Sequence, residues 1–171
     1  GDYNGALLMR VDNDLKPKVI QCDIHGANGL AFSADQRWMY TSDTPNAVIY
    51  RTPLDEQGEP GRREVFRRFQ PGEGIPDGAA IDVEGCYWSA MFDGWRIARF
   101  SPQGEELETY PMPVRCPTMV CFGGADMKTL YITTTRENME DDELAKYPLS
   151  GAIFTLPVAV AGMKKLPFRE R

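Results

Sequence analysis

Hydrophobic and polar residues alternate with a period of two along nearly the whole chain. Clear examples are residues 6–11, 47–51 and 96–100, each five or six residues of strand-forming side chains. This alternation predicts half-buried β-strands. Each segment runs into a stretch rich in Asp, Pro and Gly, which predicts tight turns between successive strands. Only residues 138–146 favour a helix, and that helix is predicted to be short, acidic and on the surface.

Three segments repeat the same arrangement of residues: 28–42 (NGLAFSADQRWMYTS), 77–90 (DGAAIDVEGCYWSA) and 118–133 (TMVCFGGADMKTLYIT). Each has a polar residue, a strand, a tight turn and a second strand that contains an aromatic residue followed by small ones. The spacing of their starts is about 40–50 residues, which is typical of four-stranded propeller blades. The small residues Ala31, Ala79 and Ala80 fit inner strands crowded around a central channel. The repeats therefore predict an all-β propeller.

The length of the chain limits how much of a propeller it contains. At about 40–45 residues per blade, 171 residues make about four blades. The strand at 6–11 has no preceding inner strand in the chain, so we expect part of a larger ring rather than a closed four-bladed one. Residues 1–171 are thus predicted to be a partial propeller that lacks its N-terminal blades. We expect such a piece to self-associate or to need the missing blades.

Composition excludes several classes of function. The formal charge is −6 and no basic stripe is present, which argues against a nucleic-acid surface. No apolar run approaches the ~18 residues of a membrane span, and the first residues do not resemble a secretory signal. Four cysteines without a Cys-x-x-Cys pair, and a single histidine, do not form a zinc pattern. We expect buried free thiols and a cytoplasmic protein.

Four motifs resemble those of the SMP-30/gluconolactonase/regucalcin family. Residues 27–35 (ANGLAFSAD) are similar to its Pro-Asn-Gly-Leu-Ala-Trp-Ser-Pro-Asp segment, and residues 75–85 (IPDGAAIDVEG) to its Pro-Asp-Gly-Met-Ala-Val-Asp segment. Residues 122–126 (FGGAD) with 130–134 (LYITT) match its Phe-Gly-Gly and Leu-Tyr-Val-Thr segments. Residues 150–154 (SGAIF) resemble its last Gly-Gly-Leu-Phe strand. The four motifs follow one another in the family's order over residues 5–168.

The resemblance implies a six-bladed β-propeller with one divalent metal ion in its channel, which opens sugar lactones such as gluconolactone to aldonic acids. Carried over residue by residue, it makes Asn28 and Asp77 metal ligands. The family's Glu ligand, and the Arg and Asn that contact substrate, belong to blades outside this chain. The chain is therefore expected to carry only part of the active site.

The chemistry of these residues agrees with that expectation. An amide carbonyl and a carboxylate are hard oxygen ligands that suit Ca²⁺ first, with Mg²⁺, Mn²⁺ and Zn²⁺ as alternatives. Both residues directly precede an inner strand, so both are expected at the mouth, which is the end of the channel where the inner strands begin. A divalent cation there polarises the lactone carbonyl and activates a water. We assign Asp77 a second, catalytic role as acceptor of the proton from that water.

Each candidate residue also has a plainer interpretation. Asn-Gly and Asp-Gly are common turn dipeptides, so Asn28 and Asp77 could simply form turns. Asp43, at a strand end near the mouth, is a candidate substrate contact or the cap of the next turn. Phe92 and Trp95 could line a wall that faces the sugar or cover the top of a blade. The acidic run 140–143 lacks a calcium-loop pattern and is interpreted as a solvated loop.

Two other functions fit the same fold. A propeller can be a non-catalytic ligand-binding module, because propellers carry both kinds of function. It can also be an esterase or organophosphate hydrolase with a related site. Lactone hydrolysis is the first hypothesis, with a small-molecule sugar lactone as the partner and neither a nucleic acid nor a membrane.

Overall fold

The computed structural model describes residues 5–164, which form thirteen β-strands and one α-helix. The elements are β1 (Ala6–Val11), β2 (Pro17–Ile24), β3 (Ala27–Phe32), β4 (Trp38–Asp43), β5 (Val48–Pro53), β6 (Glu64–Arg68), β7 (Ile75–Ile81), β8 (Tyr87–Phe92), β9 (Arg96–Phe100), β10 (Glu106–Pro111), β11 (Pro117–Gly123), β12 (Thr129–Thr134), α1 (Asp141–Lys146) and β13 (Ile153–Pro157). The prediction of an all-β chain with one short acidic helix is confirmed. Within the described residues no helix is long and apolar enough to cross a membrane.

The strands form four antiparallel sheets in the order of the chain. The first sheet is the pair β1–β2, the second contains β3 to β6, the third β7 to β10, and the fourth β11 to β13. Strands that are neighbours in sequence are neighbours in the sheet, as short turns require. The three sequence repeats begin at β3, β7 and β11, the first strands of the last three sheets. Two sheets are thus complete four-stranded units, and the others have two and three strands.

The first strands of successive sheets lie side by side. β7 contacts β3 on one side and β11 on the other. Ala31, Ala79 and Ala80 on these strands are at least 92% buried, so their small side chains leave room for the neighbouring sheets. The prediction that these alanines belong to crowded inner strands is confirmed.

Two apolar cores lie between the sheets. The core between the second and third sheets is built from large side chains, among them Tyr40, Ile49, Phe66, Tyr87 and Phe100. The core between the third and fourth sheets contains Trp88, Ile97, Val120, Leu130 and Ile132. The third sheet lies between the two cores and contributes side chains to both of them. This stacking fixes the relative positions of the first strands.

The two tryptophans at equivalent repeat positions differ in burial. Trp88 is 1% exposed, as expected of a core residue. Trp38 is only half-buried, and the guanidinium of Arg51 lies over its ring at 4.5 Å from the centroid. Trp38 begins β4, at the end of the sheet, whereas Trp88 lies one residue inside β8. The prediction of a core position is therefore confirmed for Trp88 and only in part for Trp38, whose half-buried ring packs against the border of the core between the second and third sheets.

All four cysteines are free, in agreement with the prediction of reduced thiols. Cys86 and Cys116 are buried, but Cys22 and Cys121 are exposed. Cys121 lies on β11 between the buried residues Val120 and Phe122, so the alternation of the strand turns its side chain away from the core. The expectation of buried thiols is therefore wrong for two of the four.

The pairing of the first strands is interrupted near their starts. The register of β3 with β4 shifts between Asn28 and Ala31, and that of β7 with β8 shifts between Pro76 and Ala79. The register of β11 with β12 shifts between Pro117 and Met119. Such irregularities bend a strand and change the direction of a side chain. The same device thus occurs at the mouth in three successive sheets.

Candidate functional site

Asn28 and Asp77 lie in contact although 49 residues separate them in the sequence. The amide Nδ2 of Asn28 donates a hydrogen bond to Oδ1 of Asp77. Both residues lie at the register shifts of β3 and β7, which bring the two polar side chains together across neighbouring sheets. Asn28 is exposed and Asp77 is half-buried. The two predicted ligands therefore share one position at the mouth.

The glycine that follows each of these residues is required by close packing. A Cβ atom at Gly29, whose φ is +56°, would overlap Ser42 Oγ and the hydroxyl of Tyr87. A Cβ atom at Gly78 would overlap the sulfur of Met119 on the next sheet. Asn28-Gly29 and Asp77-Gly78 lie inside strands β3 and β7, so the alternative interpretation as turn dipeptides is wrong. Here glycine lets two inner strands approach each other.

Hydrogen bonds from side chains to the backbone fix this approach. The buried hydroxyl of Tyr87 donates to the carbonyl of Gly29 at 2.8 Å. Ser42 Oγ donates to the carbonyl of Asp77 at 3.0 Å, and Thr44 Oγ1 donates to the carbonyl of Pro76 at 2.8 Å. Each bond crosses between the second and third sheets and ends beside a register shift. Together they hold the backbones of the two candidate ligands at a set separation.

The carboxyl group of Asp77 has an unusual protonation equilibrium. Burial disfavours its charged form, and the nearby negative charge of Glu137 acts in the same direction. The N–H of Gly78 opposes them but is weaker, and the pKa of Asp77 rises to about 6. A carboxylate that is partly buried without a cation beside it is well suited to receive one. The electrostatics of the site thus favour a bound positive charge.

Glu137 acts electrostatically on this site, and sequence reasoning missed it. It lies between β12 and α1, and its own N–H donates to Thr135 Oγ1 at 3.1 Å. Its side chain is exposed, and its charge acts on Asp77 from the connection of the fourth sheet. The one feature of the sequence that could have pointed to Glu137 is its place shortly after the end of β12. The connection itself follows no periodic pattern.

The donor set fits a hard divalent cation. The carbonyl oxygen of Asn28 and the carboxylate of Asp77 are two oxygen ligands of the kind that Ca²⁺ and Mg²⁺ prefer. Since amide oxygen and nitrogen exchange places on rotation of the side chain, Asn28 can turn its oxygen toward a cation that Asp77 also binds. Within residues 5–164 no cluster of three or more His, Cys, Asp or Glu side chains could hold a metal ion by itself. The described part of the chain thus offers two ligands.

An apolar cavity of about 380 Å³ adjoins Asn28. Its walls include Leu7, Leu30, Thr41, Gly78, Ala79 and Met119. A larger cavity, of about 1110 Å³, extends toward the other ends of the inner strands, where Phe32, Ile81 and Phe122 line it. None of the candidate ligands lines the larger cavity. Of the two candidate ligands, Asn28 lines the smaller cavity, and Asp77 is linked to it through its hydrogen bond with Asn28.

Asp43 is at least 98% buried and contacts the turn between β2 and β3 as well as its own turn. It accepts hydrogen bonds from the N–H groups of His25 at 3.2 Å and Gly26 at 3.1 Å, and from Asn46 Nδ2 at 2.8 Å. Burial alone would raise the pKa of Asp43, but these hydrogen bonds outweigh it and hold the pKa below its ordinary value. The Asp43 side chain thus joins the turn between β2 and β3 to Asn46, and it makes no capping hydrogen bond to the backbone of the turn that follows it. Neither of its two predicted roles is therefore confirmed.

Phe92 and Trp95 lie at the same end of the third sheet as Asp77. Phe92 ends β8 and pairs with Ile75, two residues before Asp77. Trp95, with φ +56°, follows in the β8–β9 turn, and its ring packs edge-on against Tyr147 at a centroid distance of 4.7 Å. Both side chains are half-buried. Their positions near the mouth agree with either predicted role, a wall for the sugar or the cover of the blade.

Comparison with known proteins supplies the family. The model of the SMP-30/Gluconolactonase/LRE-like region matches residues 1–136. The chain belongs to this SMP-30/gluconolactonase family. A 6-deoxy-6-sulfogluconolactonase of Pseudomonas putida is 54% identical over 162 residues, which are 94% of this chain and 56% of that protein. Regucalcin of Danio rerio is 40% identical over 147 residues, 84% of this chain and 49% of that protein.

The fold agrees with that of solved members of the SMP-30/gluconolactonase family. The crystal structure of a calcium-binding protein, regucalcin from Agrobacterium tumefaciens, matches with a TM-score of 0.86 and 31% identity. The match covers 91% of this chain and 53% of that one. The four sheets are therefore blades of a β-propeller, and the prediction of about four blades is confirmed. The chain spans about half the length of the relatives that it matches.

Proposed function

We propose that this family member is a divalent-cation-dependent hydrolase that opens sugar lactones to aldonic acids, with its site at Asn28 and Asp77. The observation that carries the proposal is the contact between these two side chains at the mouth. It is supported by the sulfogluconolactonase of P. putida, which is 54% identical. The raised pKa of Asp77, to about 6, supports a cation at this position.

Ca²⁺ is the ion that we propose first. Both ligand atoms are oxygens, and Ca²⁺ accepts flexible arrangements of such ligands. The regucalcin of A. tumefaciens is described as a calcium-binding protein, which supports the same choice. Mg²⁺, Mn²⁺ and Zn²⁺ remain the alternatives to be compared. We also propose that the protein acts in the cytoplasm, since its four cysteines are free.

The residues have separate tasks in this reaction. A bound divalent cation supplies polarisation of the lactone carbonyl and a lower pKa for a bound water. Asn28 and Asp77 hold their oxygens on one side of the site. The oxygen of the attacking water forms a bond to the carbonyl carbon, and the bond from that carbon to the ring oxygen breaks. Asp77 accepts the proton of the water and returns it to the ring oxygen, which becomes the hydroxyl of the aldonic acid.

The first test is the substitution Asp77→Asn in the protein at its natural length. It removes the negative charge of one ligand and the proton acceptor while it preserves the shape of the side chain. Loss of a residue that only hydrogen-bonds a metal ligand typically lowers activity about 10–100-fold. Because Asp77 is proposed to bind the cation itself, we expect the rate of lactone hydrolysis to fall by more than that. Asp126→Asn is the matched control, because Asp126 is an exposed turn residue whose carboxylate accepts the N–H of Lys128 at 3.1 Å. Equal turnover by the Asp77 variant and the control would refute the assignment.

A substrate panel separates the alternative functions. Gluconolactone, an aryl ester and an organophosphate triester are offered to the unmodified protein, with and without a chelator. Lactone hydrolysis that the chelator abolishes and Ca²⁺ restores is the expected result. Faster turnover of the aryl ester or the triester would favour the esterase. Binding of Ca²⁺ and gluconolactone without turnover of any substrate would favour a ligand-binding module.

A further inference from the structure

The third sequence repeat, which begins on β11, places one more polar side chain at the mouth. Thr118 occupies the same position on β11 as Asn28 on β3 and Asp77 on β7, four residues before the last apolar residue of each repeat's first strand. The register shift of β11 spans Pro117 to Met119, so Thr118 lies within it as Asp77 lies within its own, while Asn28 borders the shift of β3. Three successive inner strands therefore present a polar residue in the same local geometry.

Packing places Thr118 next to Asp77. A Cβ atom at Gly78 would lie 2.6 Å from the carbonyl oxygen of Thr118, so the two backbones touch. The same relation holds one blade earlier, where a Cβ atom at Gly29 would lie 2.9 Å from the carbonyl oxygen of Asp77. Asn28, Asp77 and Thr118 thus follow one another around the mouth at the same height.

The hydroxyl of Thr118 has a fixed direction. Its Oγ1 lies 2.8 Å from Oγ1 of Thr133, and either hydroxyl can be the donor. The Thr118 side chain is half-buried, whereas that of Thr133 is exposed. Since each hydroxyl has one proton and two lone pairs, Thr118 keeps hydrogen-bonding capacity for a second partner. Glu137, which acts electrostatically on Asp77, follows the end of the same strand as Thr133.

We infer that Thr118 is a substrate-binding residue whose hydroxyl hydrogen-bonds a hydroxyl group of the bound sugar lactone. The inference rests on the proposed function and adds a contact to the same site. A neutral hydroxyl is a weaker cation ligand than the amide and carboxylate beside it, so binding of a polyol suits it better. A hydroxyl held by Thr133 can donate or accept, which matches a sugar hydroxyl that does both. Thr118 therefore contributes to affinity and orientation.

The test compares Thr118→Val, which keeps the shape and removes the hydroxyl, with Thr118→Ser, which keeps the hydroxyl. Thr129→Val is the matched control, because Thr129 is a half-buried threonine at the opposite end of β12. For Thr118→Val we expect KM for gluconolactone to rise about 5–30-fold with kcat within about threefold, as for one hydrogen bond to a neutral partner. Thr118→Ser and Thr129→Val are expected to retain KM within about twofold.

Deoxy substrates sharpen the assignment. A set of lactones is tested, each of which lacks one hydroxyl. The lactone that lacks the hydroxyl bound by Thr118 is expected to show the same KM with the unmodified protein and with Thr118→Val. An unchanged KM in Thr118→Val, with an unchanged melting temperature, would overturn the inference while the proposed function stands. If Thr118→Val does not fold, Thr118→Ala takes its place. Failure of the unmodified protein to hydrolyse any lactone would instead refute the proposed function.

Discussion

Two aspartates at opposite ends of the same strand have opposite surroundings. Asp77 lies near the start of β7, and Asp82 directly follows its end. Asp77 is half-buried, and one side chain, that of Asn28, donates a hydrogen bond to it. Asp82 is fully buried and accepts four hydrogen bonds. The two carboxylates differ in how completely the protein itself satisfies them.

The contacts of Asp82 close it to any ligand. Oδ1 accepts the N–H groups of Glu84 and Cys86, both at 2.9 Å, which forms the turn after β7. Oδ2 accepts Trp88 Nε1 at 2.9 Å and Arg99 Nε at 2.8 Å, which ties that turn to β8 and β9. A buried carboxylate with all its acceptor sites occupied, one of them by a cation, maintains structure. A partly buried carboxylate with free acceptor capacity is available for chemistry.

Substitution of Asp82 tests the structural side of this comparison and has the largest expected effect on stability. Asp82→Asn removes the one fully buried carboxylate that pairs with Arg99, whose guanidinium keeps only the more exposed Glu84 and Glu108. It also puts an amide where two donors point at one oxygen. We expect the free energy of unfolding to fall by about 3–5 kcal/mol, as for a broken buried ion pair. Urea unfolding followed by tryptophan fluorescence measures it. The comparison breaks if Asp77→Asn destabilises the protein as much as Asp82→Asn does.

The pH dependence of stability tests the functional side, with a smaller effect. Because the pKa of Asp77 is raised to about 6 by burial and by Glu137, the folded state holds its proton more tightly than the unfolded chain. The associated stability is complete below about pH 4 and is lost as the pH rises through about 6. In the presence of a chelator, the melting temperature of Asp77→Asn should therefore exceed that of the unmodified protein by a margin that grows between pH 4 and pH 7.

Excess Ca²⁺ is expected to reverse this difference in melting temperature between the two proteins. An ion that binds the folded state alone stabilises it, so excess Ca²⁺ should raise the melting temperature of the unmodified protein and not that of Asp77→Asn. Below pH 6 the gain should shrink, because protons compete with the cation for Asp77. Equal melting curves for the two proteins at every pH, with and without Ca²⁺, would remove Asp77 from the cation site.

The smallest effect on stability is expected from removal of the Tyr87 hydroxyl, which links the third sheet to the second beside Asn28. Tyr87→Phe deletes the hydrogen bond to the carbonyl of Gly29 and leaves the ring in its core. We expect a loss of about 0.5–1.5 kcal/mol in the free energy of unfolding, together with weaker Ca²⁺ binding measured by calorimetry. Tyr131→Phe is the control, since Tyr131 is an exposed tyrosine on β12. Weakened Ca²⁺ binding in both variants would show that the effect is not specific to this contact.

The blades and the contact between Asn28 and Asp77 were predictable from the sequence, since the repeats carry local signals of strand, turn and small residue. Asp82 was not recognised, because the segment from Asp82 to Gly85 has the composition of any polar turn. Its four donors include Arg99, which is distant in sequence. Glu137 was missed for a related reason. Its influence on Asp77 depends on the path of a long connection, and no period predicts that path.

The role of glycine shows where local rules fail. From the sequence, Gly29 and Gly78 indicate turns at least as well as strands, because both uses depend on the missing side chain. The structure requires them for close contact with Tyr87 and with Met119 on neighbouring strands. That requirement arises only after the blades have packed, so it is a tertiary property that propensity alone does not contain.

The repeated register shift at the start of β3, β7 and β11 separates the chemistry of the protein from its stability. Asp77 and Thr118 lie where strand pairing is interrupted, and Asn28 is the last paired residue before such an interruption, so exchanging one of them affects little of the regular ladder. Each of these three sheets therefore has one position at the mouth where the side chain can be exchanged. Substitutions there can change the preference for a cation or a sugar one sheet at a time, while the cores between the sheets stay the same.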